Sequence, residues 1–207
     1  GLANTFPEDC YQGSYIYDIA QAMVDEGCDG FKDAEVSVFK DRAQQAIFAD
    51  IDATLKRIGI GFDTYFNEHT LYEDGRVMQV VEDLRAKGLV YEQEGATWFK
   101  TSELGQEQDR VIIKSTGEPT YRLPDIAYHL DKFKRGYDWM INVFGSDHIA
   151  TVPDVLAGVR ALGHDDDRIT VVLYQFVTLL RDGKQVKMST RKATFVTVDE
   201  LVDEVGP

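Results

Sequence analysis

An α/β fold with a parallel sheet is what the second half of this sequence predicts, preceded by a region of helices and a β-hairpin. Three patterns carry that expectation. Apolar residues recur at helical spacing through the first third, two short β-rich runs flank Gln93-Glu94-Gly95, and from Tyr121 onward strand-like runs alternate with helix-like ones.

Taken in order, Tyr15, Ile16, Ile19, Ala20, Met23 and Val24 mark a first helix with Ser14 as its expected N-cap. Val36, Phe39, Ala43, Ile47, Ile51, Leu55 and Ile58 mark a long amphipathic helix that stops at Gly59 and Gly61. After a short extended piece, Thr64-Tyr65-Phe66, and a turn at Glu73-Asp74-Gly75, Val77, Val80, Val81 and Leu84 give a helix closed by Lys87-Gly88. Leu89 to Glu92 and Thr97 to Lys100 read as a hairpin, and Val111 to Lys114 as a further strand. A helix opens near Asp125 with Pro124 at its first position, Trp139 to Phe144 is a buried-looking strand ending at Gly145, and a helix runs from about Pro153 to Leu162. Ile169 to Tyr174 is the next strand, followed by a hairpin turn at Asp182-Gly183. Ligands of such sheets gather beyond the carboxyl ends of the strands, here near Gly145-Ser146-Asp147-His148.

At 207 residues with 43% hydrophobic content, the chain can bury a sizeable core. It has no apolar run approaching the roughly 18 to 20 residues that span a bilayer, and no secretory leader pattern at its start. A cytoplasmic protein without membrane association is expected. Cys10 and Cys28 lack CxxC spacing and are expected as reduced thiols. The net charge of −14 repels a polyanion, so any contact with nucleic acid must be local or made by residues outside this chain.

Three constellations carry chemistry. Lys187-Met188-Ser189-Thr190-Arg191 sets two cations about a small hydroxyl residue just after a hairpin, a pattern able to compensate charge on phosphoryl oxygens and equally the pattern of a solvated basic loop. Tyr121 stands just before a helix with Asp125 in its first turn. An aromatic hydroxyl and a carboxylate so spaced suit a cationic side chain, guanidinium above all; the alternative is that Asp125 only complements the helix N-terminus while Tyr121 packs inside. In Gly145-Ser146-Asp147-His148 a glycine permits close approach of a ligand at a strand end beside two polar side chains. Two ligands without a third are weak grounds for a metal, and His164 beside three aspartates reads as a surface turn.

These words resemble the arginyl-tRNA synthetases, a class I family. Lys187 to Arg191 is similar to its Lys-Met-Ser-Lys-Arg loop, with Thr190 in place of the middle Lys. Tyr121 to Tyr128 resembles its Tyr-Leu-Thr-Arg-Asp-Ile-Ala-Tyr segment, with Leu123-Pro124 where many members have Thr-Arg. Val143 to His148 resembles its Trp-Gly-Ala-Asp-His-His stretch. Weaker likenesses at Pro7 to Ile16, Phe62 to Gly75 and Lys87 to Tyr91 extend the match over the chain.

The resemblance implies a partial Rossmann-like parallel sheet with an α+β connective insertion: residues 1–110 as the connective region, and 111–207 as the second half of the nucleotide-binding fold. It implies an enzyme that activates L-arginine with ATP, accompanied by Mg²⁺, and transfers it to tRNA(Arg). Lys187, Ser189 and Arg191 are then catalytic. Gly145, His148, Val186 and Met188 border ATP, Tyr121, Asp125 and Asp147 hold arginine, and no protein metal site is implied. The family's His-Ile-Gly-His word and its anticodon-binding domain are not in this sequence, so the chain is expected to be an internal piece, inactive alone, that meets tRNA through the full-length enzyme. The rival reading is a paralogue or module that binds an arginine-like cation or a nucleotide without catalysis.

Overall fold

The computed structural model describes residues 13–27, 35–181, 183–186 and 195–207. Along the chain these form α1 (Tyr15–Asp25), α2 (Val36–Arg57), α3 (His69–Glu73), α4 (Arg76–Ala86), β1 (Val90–Gln93), β2 (Ala96–Phe99), β3 (Arg110–Ile113) and α5 (Arg122–Lys134). Then follow β4 (Met140–Gly145), α6 (Val152–Ala161), β5 (Ile169–Tyr174), β6 (Leu180–Arg181), β7 (Lys184–Gln185) and α7 (Val198–Val205). They fall into two compact units, Phe66–Val177 on the one hand and Gly1–Tyr65 with Thr178–Pro207 on the other.

The 66–177 unit holds the main core. Leu71 of α3, Val77, Val80, Val81 and Leu84 of α4, Phe99 of β2, Ile112 of β3, Leu123 and Ile126 of α5 and Val155 of α6 close on one another. Packing therefore runs across residue 110. The expected hairpin is present as β1 and β2, paired from Val90↔Phe99 to Gln93↔Ala96, with β3 antiparallel beyond β2. Its two-residue turn puts Glu94 and Gly95 both at positive φ, the backbone twist that matches the right-handed twist of the flanking strands.

β4 and β5 are parallel, in register from Met140↔Ile169 to Gly145↔Tyr174, and α6 lies between them in sequence, as parallel strands require a crossover. One face of β4 packs Met140 against Val159 of α6 and Ile169 of β5. The other presents Ile141 and Val143 to solvent. Parallel sheets are ordinarily covered on both faces, so this apolar face is a place for further structure. Gly158, inside α6, is a position of close approach. A Cβ there would stand 2.5 Å from Cδ1 of Ile126, which explains a residue that otherwise costs about 1 kcal/mol in a helix interior.

In the other unit α1 and α2 appear where apolar spacing places them, but Ser14 makes no side-chain cap and no residue of α2 is buried. The apolar stripe read from the sequence lies open at Val36 and Ile51. The hairpin at Asp182-Gly183 is present as β6 and β7, with Asp182 outside the described residues. Two helices were not anticipated. α3 stands between the extended piece at Phe66 and the turn read at Glu73-Asp74-Gly75, and α7 follows a capping box in which the side chains of Thr197 and Glu200 each accept the other's backbone N–H. Its acidic residues are in part paired: Asp199 and Asp203 with Arg57, and Glu204 with Arg181. No helix among the described residues is long and apolar enough to cross a membrane.

Candidate functional site

The carboxyl end of β4 and the first turn of α5 make the candidate site. α5 begins at Arg122, one turn earlier than Asp125, so Pro124 is the third helical residue rather than the first. It is still within the turn whose N–H groups have no partner inside the helix, which is why proline is tolerated there. The N–H of Asp125 donates to the carbonyl of Tyr121 at 3.2 Å, so these two residues, four apart, share one helix face. Tyr121 is 86% exposed, against the alternative that it packs inside.

Asp125 is half-buried and lines a narrow pocket with His129 of α5, Asn142 and Phe144 of β4, His148, and Thr151, Val152 and Val155 around the start of α6. The pocket draws in Asp125 and His148 but neither Tyr121 nor Asp147. Burial, first, and then the negative charge of Glu68 raise the pKa of Asp125 above the ordinary 3.8; His148 and Lys132 pull weakly the other way. The positive charge about this carboxylate does not offset its burial and the charge of Glu68. Glu68, just before α3, was missed at the sequence level because only the tertiary fold brings its charge toward Asp125.

Beyond Gly145 the chain forms a single 3-10 turn, Ser146–Ala150, and α6 begins only at Val152, so Asp147 and His148 precede the helix rather than open it. The His148 ring stacks on Phe144 with centroids 4.9 Å apart. Asp147 is exposed, with its carboxylate folded toward Gly145: a Cβ on that glycine would meet Asp147 Oδ1 at 2.5 Å. The His164 ring rests against Phe133, 4.6 Å between centroids.

Lys187, Met188, Ser189 and Arg191 lie outside the described residues, as do Cys10 and Cys28. Val186 is the last residue before them, half-buried, its N–H donating to the Leu179 carbonyl at 2.9 Å. Among the described residues no group of three or more His, Cys, Asp or Glu side chains is arranged to hold a metal ion. A larger concavity, about 890 Å³ between α1, α2 and Phe195, is lined by Tyr15, Ile19, Met23, Ala46 and Ile47 among others and contains none of the anticipated site residues. The smaller pocket gathers the half-buried Asp125 carboxylate with His129 and His148, so it is the better candidate for chemistry.

His129 gives the site a pH dependence. Burial chiefly, with help from the Lys132 charge, holds its pKa below the ordinary 6.5, while its hydrogen bond to the Asp125 carbonyl opposes the shift. The folded state thus binds fewer protons than the unfolded chain just below 6.5. The stability contribution is intact above that value and erodes as pH falls through the window down to the folded pKa. Asp125 has the opposite sign: its raised pKa means the fold gains stability as pH falls from that raised value toward 3.8. Urea midpoints taken at about pH 7 and about pH 5 should therefore fall further for the wild-type chain than for His129→Gln. Equal falls would remove His129 as the group responsible.

Comparison with known proteins places this geometry. A family model described as tRNA synthetases class I (R), catalytic domain, matches residues 17–206. The arginine–tRNA ligase of Desulfotalea psychrophila is 67% identical over 207 residues, covering all of this chain and 38% of that protein. The arginine–tRNA ligase of Salinibacter ruber is 53% identical over 206 residues, covering 99% of this chain and 37% of its own. A crystal structure described as an arginyl-tRNA synthetase of Campylobacter jejuni superposes with a TM-score of 0.82 at 35% identity, over 98% of this chain and 44% of that one. The chain thus spans less than half the length of the relatives it matches.

Proposed function

Because the chain belongs to the family of class I tRNA synthetase catalytic domains of the arginine type, we propose that it forms the amino-acid-recognising part of an arginine–tRNA ligase. The observation that carries this reading is Asp125: a half-buried carboxylate, destabilised by burial and by Glu68, at the carboxyl end of a parallel sheet. An arriving guanidinium would supply the missing positive charge and present paired N–H donors to the carboxylate. Tyr121, exposed on the same helix face, would cover the flat face of the guanidinium.

In this reading the substrate α-carboxylate attacks the α-phosphate of ATP in line, giving arginyl-adenylate and pyrophosphate, and arginine then passes to the terminal adenosine of tRNA(Arg). Asp147 would contact arginine, while Gly145, His148, Val186 and Met188 would border the nucleotide. Lys187, Ser189 and Arg191 would stabilise the polyphosphate as charge develops on it. Mg²⁺ would arrive with ATP, held mainly by its phosphates. Residues 1–110 as connective region and 111–207 as the second half of the nucleotide-binding fold belong to the same proposal, as does a cytoplasmic location. The open face at Ile141 and Val143 would be covered by strands or helices of the rest of the whole protein. With a net charge of −14, tRNA would be gripped largely by that remainder.

Calorimetric titration of this chain with L-arginine and with citrulline, its uncharged near-isostere, tests the reading. Arginine should bind at least about tenfold more tightly, the least that a charge-assisted contact contributes. Equal affinity for the two would sink the guanidinium assignment. In the whole protein, pyrophosphate exchange dependent on an amino acid other than arginine would do the same.

A further inference from the structure

His129 and Asn142 are both 4% exposed. Buried polar groups are costly unless every donor and acceptor finds a partner. Here each side-chain polar atom has one, and the direction of each hydrogen bond follows from its ends. Lys132 Nζ can only donate, and it stands 2.7 Å from Asn142 Oδ1. That turns the Asn142 amide nitrogen toward His129 Nε2, at 2.8 Å, and Nε2 must accept. The other ring nitrogen, Nδ1, lies 2.7 Å from the Asp125 carbonyl, which can only accept, so Nδ1 carries the proton. One run of hydrogen bonds thus leads from Lys132 through β4 to the backbone of Asp125.

We propose that His129 is a positioning residue: held as the Nδ1–H tautomer between Asn142 and the Asp125 carbonyl, it fixes the first turn of α5 on β4 and so aims the Asp125 carboxylate at the substrate. The role deepens the reading of Asp125 as the guanidinium ligand and rests on it. A helix packed on a sheet through aliphatic contacts alone has many near-equivalent placements; a directed polar link selects one. The link acts at the peptide whose side chain is to meet the substrate. Supports of this kind matter because a site loosened by about 1 Å loses much of its effect.

The test uses this chain labelled with ¹⁵N-histidine at neutral pH, the His129 resonances being assigned by their loss in His129→Gln. A protonated Nδ1 and a bare, accepting Nε2 are expected; the reverse tautomer, or the averaged shifts of a freely exchanging ring, overturns the proposal. In His129→Leu the dissociation constant for arginine should rise on the order of tenfold, and His129→Gln, which keeps a donor and an acceptor, should restore most of it. Val159→Ala, a core truncation in the same unit, provides the control for lost stability: an equal weakening there would make His129 merely structural and overturn the proposal. Should the wild-type chain bind no arginine, the reading of Asp125 fails on its own account. The clamp is then judged by the ¹³C resonance of the Asp125 carboxyl. Its titration midpoint should move toward the ordinary carboxylate value in His129→Leu, and an unmoved midpoint overturns the proposal.

Discussion

Replacing Asp154 by alanine should lower the unfolding free energy by about 3–5 kcal/mol, the usual cost of removing one partner from a buried ion pair. Asp154 is 2% exposed in the first turn of α6, and its Oδ2 faces two guanidinium groups: Nε of Arg122, from α5, at 2.8 Å and Nε of Arg110, from β3, at 3.0 Å. Three elements of the 66–177 unit thus meet on one oxygen. Arg110 Nε is fully buried and has no hydrogen-bond partner, so the ion pair with the carboxylate is what compensates it. Without it, two cations would face each other with only partial access to water. Both arginine side chains are about one-fifth exposed, which places the effect nearer the lower bound. Asp154→Asn, which keeps volume and one acceptor, should cost less. Urea is the denaturant to use, because guanidinium chloride would screen the interaction being measured. A loss below about 1 kcal/mol for Asp154→Ala would mean that water satisfies the arginines and that the cluster is not a structural joint.

The Asp154 cluster also shows where sequence reading stops. Helices α1, α2, α4, α5 and α6, the β1–β2 hairpin and the parallel pair β4–β5 were legible because their signals are local: apolar periodicity, glycine at ends and turns, and β-branched runs. The short α3 was not, since five residues hold too few apolar positions to show a period. α7 was not anticipated either, although Thr197 and Glu200 carried the capping-box spacing that could have marked it. Of the residues lining the pocket, Asp125 and His148 stand in words that the chain itself carries. Glu68, Asn142, His129 and the Arg110–Asp154–Arg122 cluster were not legible there, because each acts on a residue of another element. Asn142 inside β4 looked like one polar position in an apolar strand; only the packing of α5 on that strand gives it a partner. Gly158, inside α6, has its reason only in the fold, where Ile126 packs against it.

Asp125→Asn should produce two effects of opposite sign, and that opposition separates a binding residue from a structural one. Arginine affinity should fall on the order of a hundredfold, since truncating one partner of a close charge pair costs 2–5 kcal/mol, about 1.4 kcal/mol for each tenfold. Stability at neutral pH should rise. Asp125 has a pKa raised by burial and by Glu68, so above that value the ionised carboxylate works against the folded state, and an uncharged amide relieves the cost. The gain should vanish as pH falls through the raised pKa toward 3.8, where the wild-type carboxyl takes up its own proton. A residue placed in the first turn of α5 only to complement the helix terminus would behave otherwise: its neutralisation would cost stability and leave arginine binding alone. Calorimetry with L-arginine and urea unfolding across that pH range, applied to both chains, reads the two effects independently. Lower stability of Asp125→Asn at neutral pH would refute the uncompensated carboxylate, whereas unchanged arginine affinity would refute its role as the guanidinium partner.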